Sequence, residues 1–298
     1  MRAVSSPSID ITDLINASRD AVSGKEPLAA LKAFASLYLG PNVDKLRAEA
    51  QASRQRFVLS RLFGATSLSR DGRVIARQDG GNLDGEDSEE QLLASMVRDH
   101  QIMAGLVIQG QMLPAIDVLR AEHNFALQDF VDLASACPLI PPGREHLVGK
   151  ALLAGLNGDF DIALHLLTPQ VEHLVRYHLK QSGILTTRVD KYGIESEIGL
   201  SSLMDLPGVD DVLSPNLAFE IRAMLCNPHG PNLRNDVAHG LVDDDQANSL
   251  SSAYVWWMIF RLTFVLWWNS RRPATPSIND NADEEAQPHQ DDGQPPDV

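Results

Sequence analysis

The spacing of apolar residues predicts a chain built mainly of helices. The clearest pattern lies in residues 159–181, where apolar side chains recur at the 3.6-residue period of a helix. The members of this stripe are Phe160, Ala163, Leu164, Leu167, Val171, Leu174 and Val175, followed by His178. Pro169 lies inside the segment and predicts a kink. We expect one long face of this helix to be buried.

Helical patterns continue on both sides of this segment. Helices are predicted in the first half over 13–21, 27–39, 44–62, 89–109, 112–123 and 127–136, and in the second half over 144–156, 200–206, 216–226 and 253–268. Residues 71–77 alternate like a short strand entered by an Asp-Gly turn, and residues 182–199 suggest a hairpin or an irregular excursion. The fold class predicted is all-α, with a helical bundle at the C-terminus, a preceding helical region and a small β excursion.

Proline and charge divide the chain into three parts. The Pro-rich segment 137–143 is the best candidate for a domain boundary, although a corner between packed helices explains it equally well. We therefore expect an N-terminal helical region at 1–140, for which the sequence suggests no role, and a helical domain at 144–272. Residues 273–298 form a Pro-, Gln- and Asp-rich tail that is expected to be disordered.

The formal net charge is −15, and seven of the acidic residues lie in the tail after Arg272. Residues 1–272 therefore carry about −8. A mildly acidic body argues against a protein that coats nucleic acid electrostatically, but it leaves room for a small basic cleft.

Cysteine content and hydropathy favour a cytoplasmic protein without a membrane span. Cys137 and Cys226 are too few for a disulfide framework and have no metal-ligand spacing, so no metal or other cofactor is expected. The N-terminus lacks an apolar signal core. The most apolar run, 253–268, is shorter than a membrane span and contains Arg261, so we predict a buried helix. Its four tryptophans are expected in the core or at a dimer interface rather than stacked on bases.

The segment 230–241 carries the candidate chemistry. Asn232 is placed to cap a helix that runs from Leu233 to about residue 242. At 100° per residue, Arg234 points into the apolar face of this helix. His239 lies about 140° away, on the polar side.

Two interpretations of this helix remain open. In the structural one, Arg234 pairs with a carboxylate, for which Glu172 on the long helix is the obvious candidate, and His239 is a cap or surface residue. In the functional one, Arg234 reaches past the helix start to bind a phosphate, and His239 transfers protons. Asn235 shares the face of His239, together with Asp236, and would orient the imidazole or the substrate.

The wider sequence resembles a known family. Residues 234–240 match the Arg-Asn-x-x-x-His-Gly motif of the family numbered 4209 among domains of unknown function, with Gly240 as its last member. That family looks like a branch of the HEPN superfamily of helical bundles. Residues 169–176, with Glu172 and Arg176, are similar to its Pro-x-x-Glu-x-x-x-Arg helix. The resemblance covers roughly residues 150–270.

The resemblance implies a metal-independent endoribonuclease that works as a homodimer. The ribose 2′-hydroxyl would attack the adjacent phosphate, with His239 as acid or base and Arg234 stabilising the phosphorane. In a dimer, one chain's Arg234 could serve the other chain's His239. Glu172, Arg176, Asn232, Asp236 and Gly240 would support them. The partners expected are an RNA substrate and a neutralising protein, as in defence or toxin-like systems. The alternative is a non-catalytic helical dimer that binds RNA, a nucleotide or a protein.

Overall fold

Helices form most of the described part of the chain. The computed structural model describes residues 9–56, 64–68, 72–78, 80 and 88–271. Helix makes up 68% and strand 5%, with two small sheets, which places the protein in the all-α class. The expected disorder of 273–298 and the end of the helix predicted to reach residue 62 fall outside the described residues.

The first half contains six helices and one hairpin within the described residues. They are α1 (Thr12–Val22), α2 (Pro27–Ala35), α3 (Val43–Arg56), β1 (Ala65–Leu68), β2 (Val74–Gln78), α4 (Glu89–Val107), α5 (Leu113–Glu122) and α6 (Leu127–Ser135). The second half contains α7 (Glu145–Asn157), α8 (Phe160–Gln181), β3 (Thr187–Val189), β4 (Glu195–Glu197), α9 (Leu200–Met204), α10 (Val209–Leu213), α11 (Pro215–Ile221), α12 (Leu233–Ala238), α13 (Asp244–Ala247) and α14 (Leu250–Ser270).

Helices α4 and α5 are one continuous rod, where the sequence pattern predicts two helices. A π-helical turn, Ile108–Met112, joins them. It lies just before Pro114, which has no N–H to donate and whose ring crowds the preceding turn. The wider turn accommodates the proline without ending the helix. The N-terminus of α4 has a capping box between Ser88 and Gln91.

The long helix α8 buries the stripe that its sequence predicts. All seven apolar members from Phe160 to Val175 are buried, and His178 is half-buried with its ring nitrogen 2.8 Å from the carbonyl oxygen of Leu139. One large hydrophobic cluster contains side chains from Val22 to Trp267. It therefore includes residues on both sides of the Pro-rich segment 137–143, as the corner interpretation of that segment expects.

Helix α14 passes through this core. Trp256 and Trp257 are fully buried and Trp267 nearly so, which confirms their prediction as core residues. The Trp256 indole donates to the carbonyl oxygen of Leu152 at 3.1 Å. Arg261 is buried and pairs with Glu220 of α11 at 2.6 Å.

Both β excursions are two-stranded antiparallel hairpins. Strand β2 pairs with β1, whose residues the sequence pattern did not predict as a strand. Strand β3 pairs with β4 in the register Thr187 to Glu197, which confirms the hairpin alternative for 182–199.

Two helical stretches, 89–122 and 244–270, are long and apolar enough to cross a membrane by length and composition. Half of the first window and two thirds of the second are buried inside the protein. Core helices of soluble proteins pass the same test, so the two stretches are weak support for a membrane protein.

Candidate functional site at helix α12

Helix α12 is shorter than its sequence predicts. It ends at Ala238 rather than near residue 242, because His239 and Gly240 close it. Gly240 has a φ of +63°, and the N–H groups of Gly240 and Leu241 donate to the carbonyl oxygens of Val237 and Asp236. This pattern is a Schellman motif, in which glycine is the favoured residue. Gly240 therefore has a clear structural role at the end of the helix.

The start of α12 also differs from the prediction. Asn232 is the N-cap residue and Leu233 begins the helix, as predicted, but the Asn232 side chain makes no capping hydrogen bond. Its backbone is left-handed instead, with a φ of +49°, a conformation that asparagine tolerates better than most residues. A six-residue helix with this start has too few aligned peptides to give a strong dipole at its N-terminus.

Glycine and a buried leucine hold α12 against the π-helical turn Arg222–Cys226. Leu233 is fully buried. A Cβ atom on Gly230 would lie 2.1 Å from the carbonyl oxygen of Ala223, so only glycine allows this close approach. The position of α12 is thus fixed by packing at its start.

Arg234 is held by a carboxylate of α8. Its Nε and Nη2 both donate to Oε2 of Glu172, at 3.0 and 2.8 Å. The Arg234 side chain is 25% exposed and that of Glu172 21%. A Cβ atom on Gly199 would lie 2.7 Å from Nη2, so this glycine leaves room for the guanidinium. The pairing partner predicted in the structural interpretation is the one observed.

Arg176 completes the network on the same side. Its Nη2 donates to Oε1 of Glu172 at 2.8 Å and to the carbonyl oxygen of Ile198 at 2.6 Å. Its Nε lies 3.0 Å from Oε2 of Glu197, which also pairs with Lys180. Glu172 further accepts the backbone N–H of Leu200. The network joins α8, the β3–β4 hairpin, α9 and α12.

Two opposing effects set the pKa of Glu172. Burial alone would raise it, but hydrogen bonds from Arg176 and Arg234, the charge of Arg234 and the N–H of Leu200 bring the pKa below its ordinary value. Glu172 is therefore an ionised anchor for two guanidinium groups at neutral pH. Glu172 thereby sets the positions of the Arg176 and Arg234 side chains.

His239 lies on a different surface of α12, in an open groove of about 810 Å³. The groove also involves the β1–β2 hairpin and the start of α14. Its lining consists of Arg73, Ile75, Gly230, Pro231, Asn232, Leu233, Asn235, Asp236, His239, Leu241, Gln246, Ser249 and Ser251. The His239 side chain is exposed, and it makes no hydrogen bond to any residue that the structure describes.

The groove brings together only part of the predicted constellation. His239, Asn235, Asp236 and Asn232 line it, as their shared face predicts. Arg234 is not among its lining residues, since its side chain turns toward α8. Within one chain, therefore, the structure does not place the guanidinium and the imidazole in a common pocket.

Asn235, Asp236 and Gln246 line the groove together, and we call these three residues its floor. Oδ2 of Asp236 accepts Nε2 of Gln246 at 2.7 Å, and Oδ1 accepts Nδ2 of Asn235 at 3.4 Å. Asp236 forms no ion pair within the described residues. The two amide NH₂ groups thus face the carboxylate, which leaves the amide oxygens of Asn235 and Gln246 as acceptors.

Sequence reasoning missed four polar residues of the groove: Arg73, Gln246, Ser249 and Ser251. Arg73 is more than 150 positions from α12 along the chain, and no local pattern links it to the motif. His165 of α8 only contacts the backbone carbonyl of Asp161 at 2.7 Å. No group of three or more His, Cys, Asp or Glu side chains that could hold a metal ion occurs among the described residues.

Comparison with models of known protein families, with curated proteins and with solved structures yields no match to the chain. The fold is established as mostly helical with two small hairpins. The relationship to the HEPN superfamily remains a proposal that depends on residues 169–176 and 234–240.

Proposed function

We propose that the protein is a non-catalytic helical RNA-binding protein, with the α12 groove as its site for single-stranded RNA. One observation carries this proposal. The motif arginine, Arg234, donates to Glu172 toward α8, whereas the motif histidine, His239, faces the groove. A helix that divides the two groups in this way suits a ligand-binding surface better than an acid–base site with a phosphate clamp.

RNA is favoured over an apolar ligand because the groove is open and polar. Three amides, two serines, one imidazole, one guanidinium and one carboxylate contribute to its lining. Such groups form hydrogen bonds with base edges and phosphates. Arg73 is the only Lys or Arg among the described lining residues, so electrostatics should contribute little to affinity. We expect weak, short-range binding with a shallow dependence on salt.

The test compares two arginines of the same hairpin. Arg73 lines the groove and Arg77 does not, although both belong to the β1–β2 hairpin region and both are exposed. The affinity of the full chain for a labelled single-stranded RNA is measured by fluorescence anisotropy from 20 to about 200 mM salt. Arg73→Ala should weaken binding and reduce the salt slope by about 0.7, the value for one phosphate contact on a single strand.

Arg77→Ala should leave both quantities unchanged. Equal effects of the two substitutions, or no binding of RNA by the wild-type chain, would refute the assignment of the groove. Size-exclusion chromatography with light scattering of the same samples tests the proposed homodimer.

The second candidate is the metal-independent endoribonuclease that the HEPN resemblance implies. A specific observation favours it: His239 and Asn235 are together on an open groove that a polymer can enter. Arg234 remains a quarter exposed, and its Nη1 makes no hydrogen bond to the described residues. In a dimer, the Arg234 of one protomer could thus serve the His239 of the other.

Total RNA incubated in EDTA distinguishes the two candidates. Cleavage by the wild-type chain that is lost in His239→Ala would support the enzyme. RNA that is bound but intact over a broad panel would support the binding protein. If cleavage occurs, mixed dimers of Arg234→Ala and His239→Ala chains test whether the two groups act across the interface. Activity of such a mixture, with each variant inactive alone, is the expected sign of a shared site.

A further inference from the structure

The floor of the α12 groove has more hydrogen-bond acceptors than donors. Asp236 directs the NH₂ groups of Asn235 and Gln246 toward its own carboxylate, so the oxygens of both amides remain to accept hydrogen bonds. The carboxylate itself has further lone pairs and no cationic partner among the described side chains. A ligand on this floor must supply donors.

The side of the groove next to the β1–β2 hairpin has a cationic hydrogen-bond donor instead of acceptors. Arg73, at the start of β2, contributes the guanidinium of the lining. A ligand that complements the charge of both sides therefore combines an anionic group with neutral N–H donors. Nucleotides have this combination, because a phosphate lies a few bonds from a base with an exocyclic amine. A purely cationic ligand such as a lysine-rich peptide would suit Asp236 but meet repulsion from Arg73.

We propose that the groove selects nucleobases that carry an exocyclic amino group over uracil. This inference rests on the proposed RNA site and specifies its ligand. Cytosine, adenine and guanine each present an NH₂ group that can donate to Asp236 or to the freed amide oxygens. Uracil has a single donor, N3–H, which lies between two carbonyl oxygens that would face the acceptors of the floor, whereas cytosine has its NH₂ donor at the end of the same edge. Asn235, Asp236 and Gln246 are the specificity-determining residues.

The ion network of α8 is separate from this selection. Asn235 and Asp236 lie on the groove side of α12, while the neighbouring Arg234 is bound to Glu172. Changes on the floor can therefore alter base preference without releasing the arginine that fixes the helix.

Cytidine and uridine octamers give the sharpest test, because the two bases have the same size and differ at the exocyclic group. Binding of labelled C8 and U8 to the full chain is measured by fluorescence anisotropy in EDTA at low salt. C8 should bind about tenfold more tightly than U8, the factor expected for a hydrogen bond to a charged acceptor. Asp236→Asn should reduce this ratio to about twofold or less.

The matched control is Asp132→Asn, the same substitution at an exposed aspartate of α6 that is not part of the groove. It should keep the wild-type ratio. Far-UV circular dichroism and thermal unfolding verify that both variants are folded.

The outcomes separate the inference from the proposed function. If C8 and U8 bind equally, or if Asp236→Asn keeps the full ratio, base selection by the floor is refuted while the RNA site stands. If neither octamer binds, the RNA site itself is refuted and the inference falls with it. Binding of an octalysine peptide more tightly than C8 would overturn the choice of a nucleobase as the occupant.

Discussion

At the scale of single residues, Arg234 has a structural contribution that does not depend on any ligand. Its two hydrogen bonds to Glu172 tie the short α12 to α8. We expect Arg234→Ala to lower the free energy of unfolding by about 1–2 kcal/mol, because a charged hydrogen-bonded pair that is partly exposed is lost. Urea denaturation measures the change.

The control is Arg188→Ala on β3, where the arginine is exposed and has no hydrogen bond or ion pair within the described chain. Its effect should stay within about 0.5 kcal/mol. Were Arg234→Ala equally neutral, the ion network would not contribute to holding α12.

His100 of α4 gives a pH dependence of stability. Its ring is buried between Phe219 and Tyr254, and neither ring nitrogen has a partner in the described structure. Burial first, and then the charge of Arg261, lower the pKa of His100 to about 4 from an ordinary value of 6.5. Between pH 6.5 and about 4, His100 binds a proton in the unfolded chain but not in the folded chain.

Stability from this residue is therefore complete above pH 6.5 and is lost as the pH falls toward 4, by about 3 kcal/mol in total. His100→Phe should flatten this acid-side loss, whereas His146→Gln at an exposed histidine should retain it. Urea midpoints at pH 7.5, 5.5 and 4.5 provide the comparison. A parallel acid-side loss in His100→Phe would show that other groups cause it.

The roles of single residues were only partly predictable from sequence. The pair Arg234–Glu172 could be predicted because helical periodicity places both side chains on faces that turn toward the interior. The contribution of Arg73 to the groove could not, since it depends on how the β1–β2 hairpin packs on distant helices.

At the scale of elements, close approach between α7 and α14 depends on a glycine. A Cβ atom on Gly155 would lie 2.3 Å from the Trp256 ring. We expect Gly155→Ala to destabilise the protein by about 1–3 kcal/mol, because the indole or the helix must shift in a full core. Thermal unfolding monitored by circular dichroism measures this effect.

A second helical glycine serves as the control. A Cβ atom on Gly105 of α4 would only reach ordinary contact, 3.7 Å from a methyl group of Leu250. Gly105→Ala should therefore raise stability by about 0.5–1 kcal/mol through its higher helix propensity. If both substitutions had the same sign, the contact at Gly155 would not be limiting.

Elements were predictable where their periodicity was long and regular. Helix α8 has 22 residues, enough for its stripe to leave one interpretation. Helices α10 and α13 have five and four residues, too few for a period to emerge. The predicted extension of α12 to residue 242 failed for a related reason. Gly240 lies inside a segment whose apolar spacing fits a helix, and the chain uses it for a left-handed turn.

At the scale of the whole molecule, one core should give one unfolding transition. The main hydrophobic cluster joins side chains from α1 to α14. All four tryptophans lie in α14, and Trp256 and Trp257 contact Phe34 and Tyr38 of the first half, so their fluorescence reports on the core where the two halves meet. Far-UV circular dichroism reports on every helix. We expect the two signals to give the same urea midpoint and slope.

Two separate transitions would indicate that residues 1–140 and the second half unfold independently, as a division at the Pro-rich segment predicts. The all-α class could be predicted from the dominance of one period along the chain. The groove could not, because three segments far apart in sequence contribute its sides.

Helix α14 is apolar around its whole circumference, and this has a consequence for how the bundle finds one arrangement. A helix that is apolar on all faces can rotate, or shift by one turn along its axis, with little loss of buried apolar area. Three directional contacts remove that freedom: Tyr254 and Arg261 both donate to Glu220, and the Trp256 indole donates to Leu152. These hydrogen bonds fix the rotation and the axial position of α14. We therefore expect a version of α14 made only of leucine to be buried as readily, but to pack against its neighbours in several alternative positions.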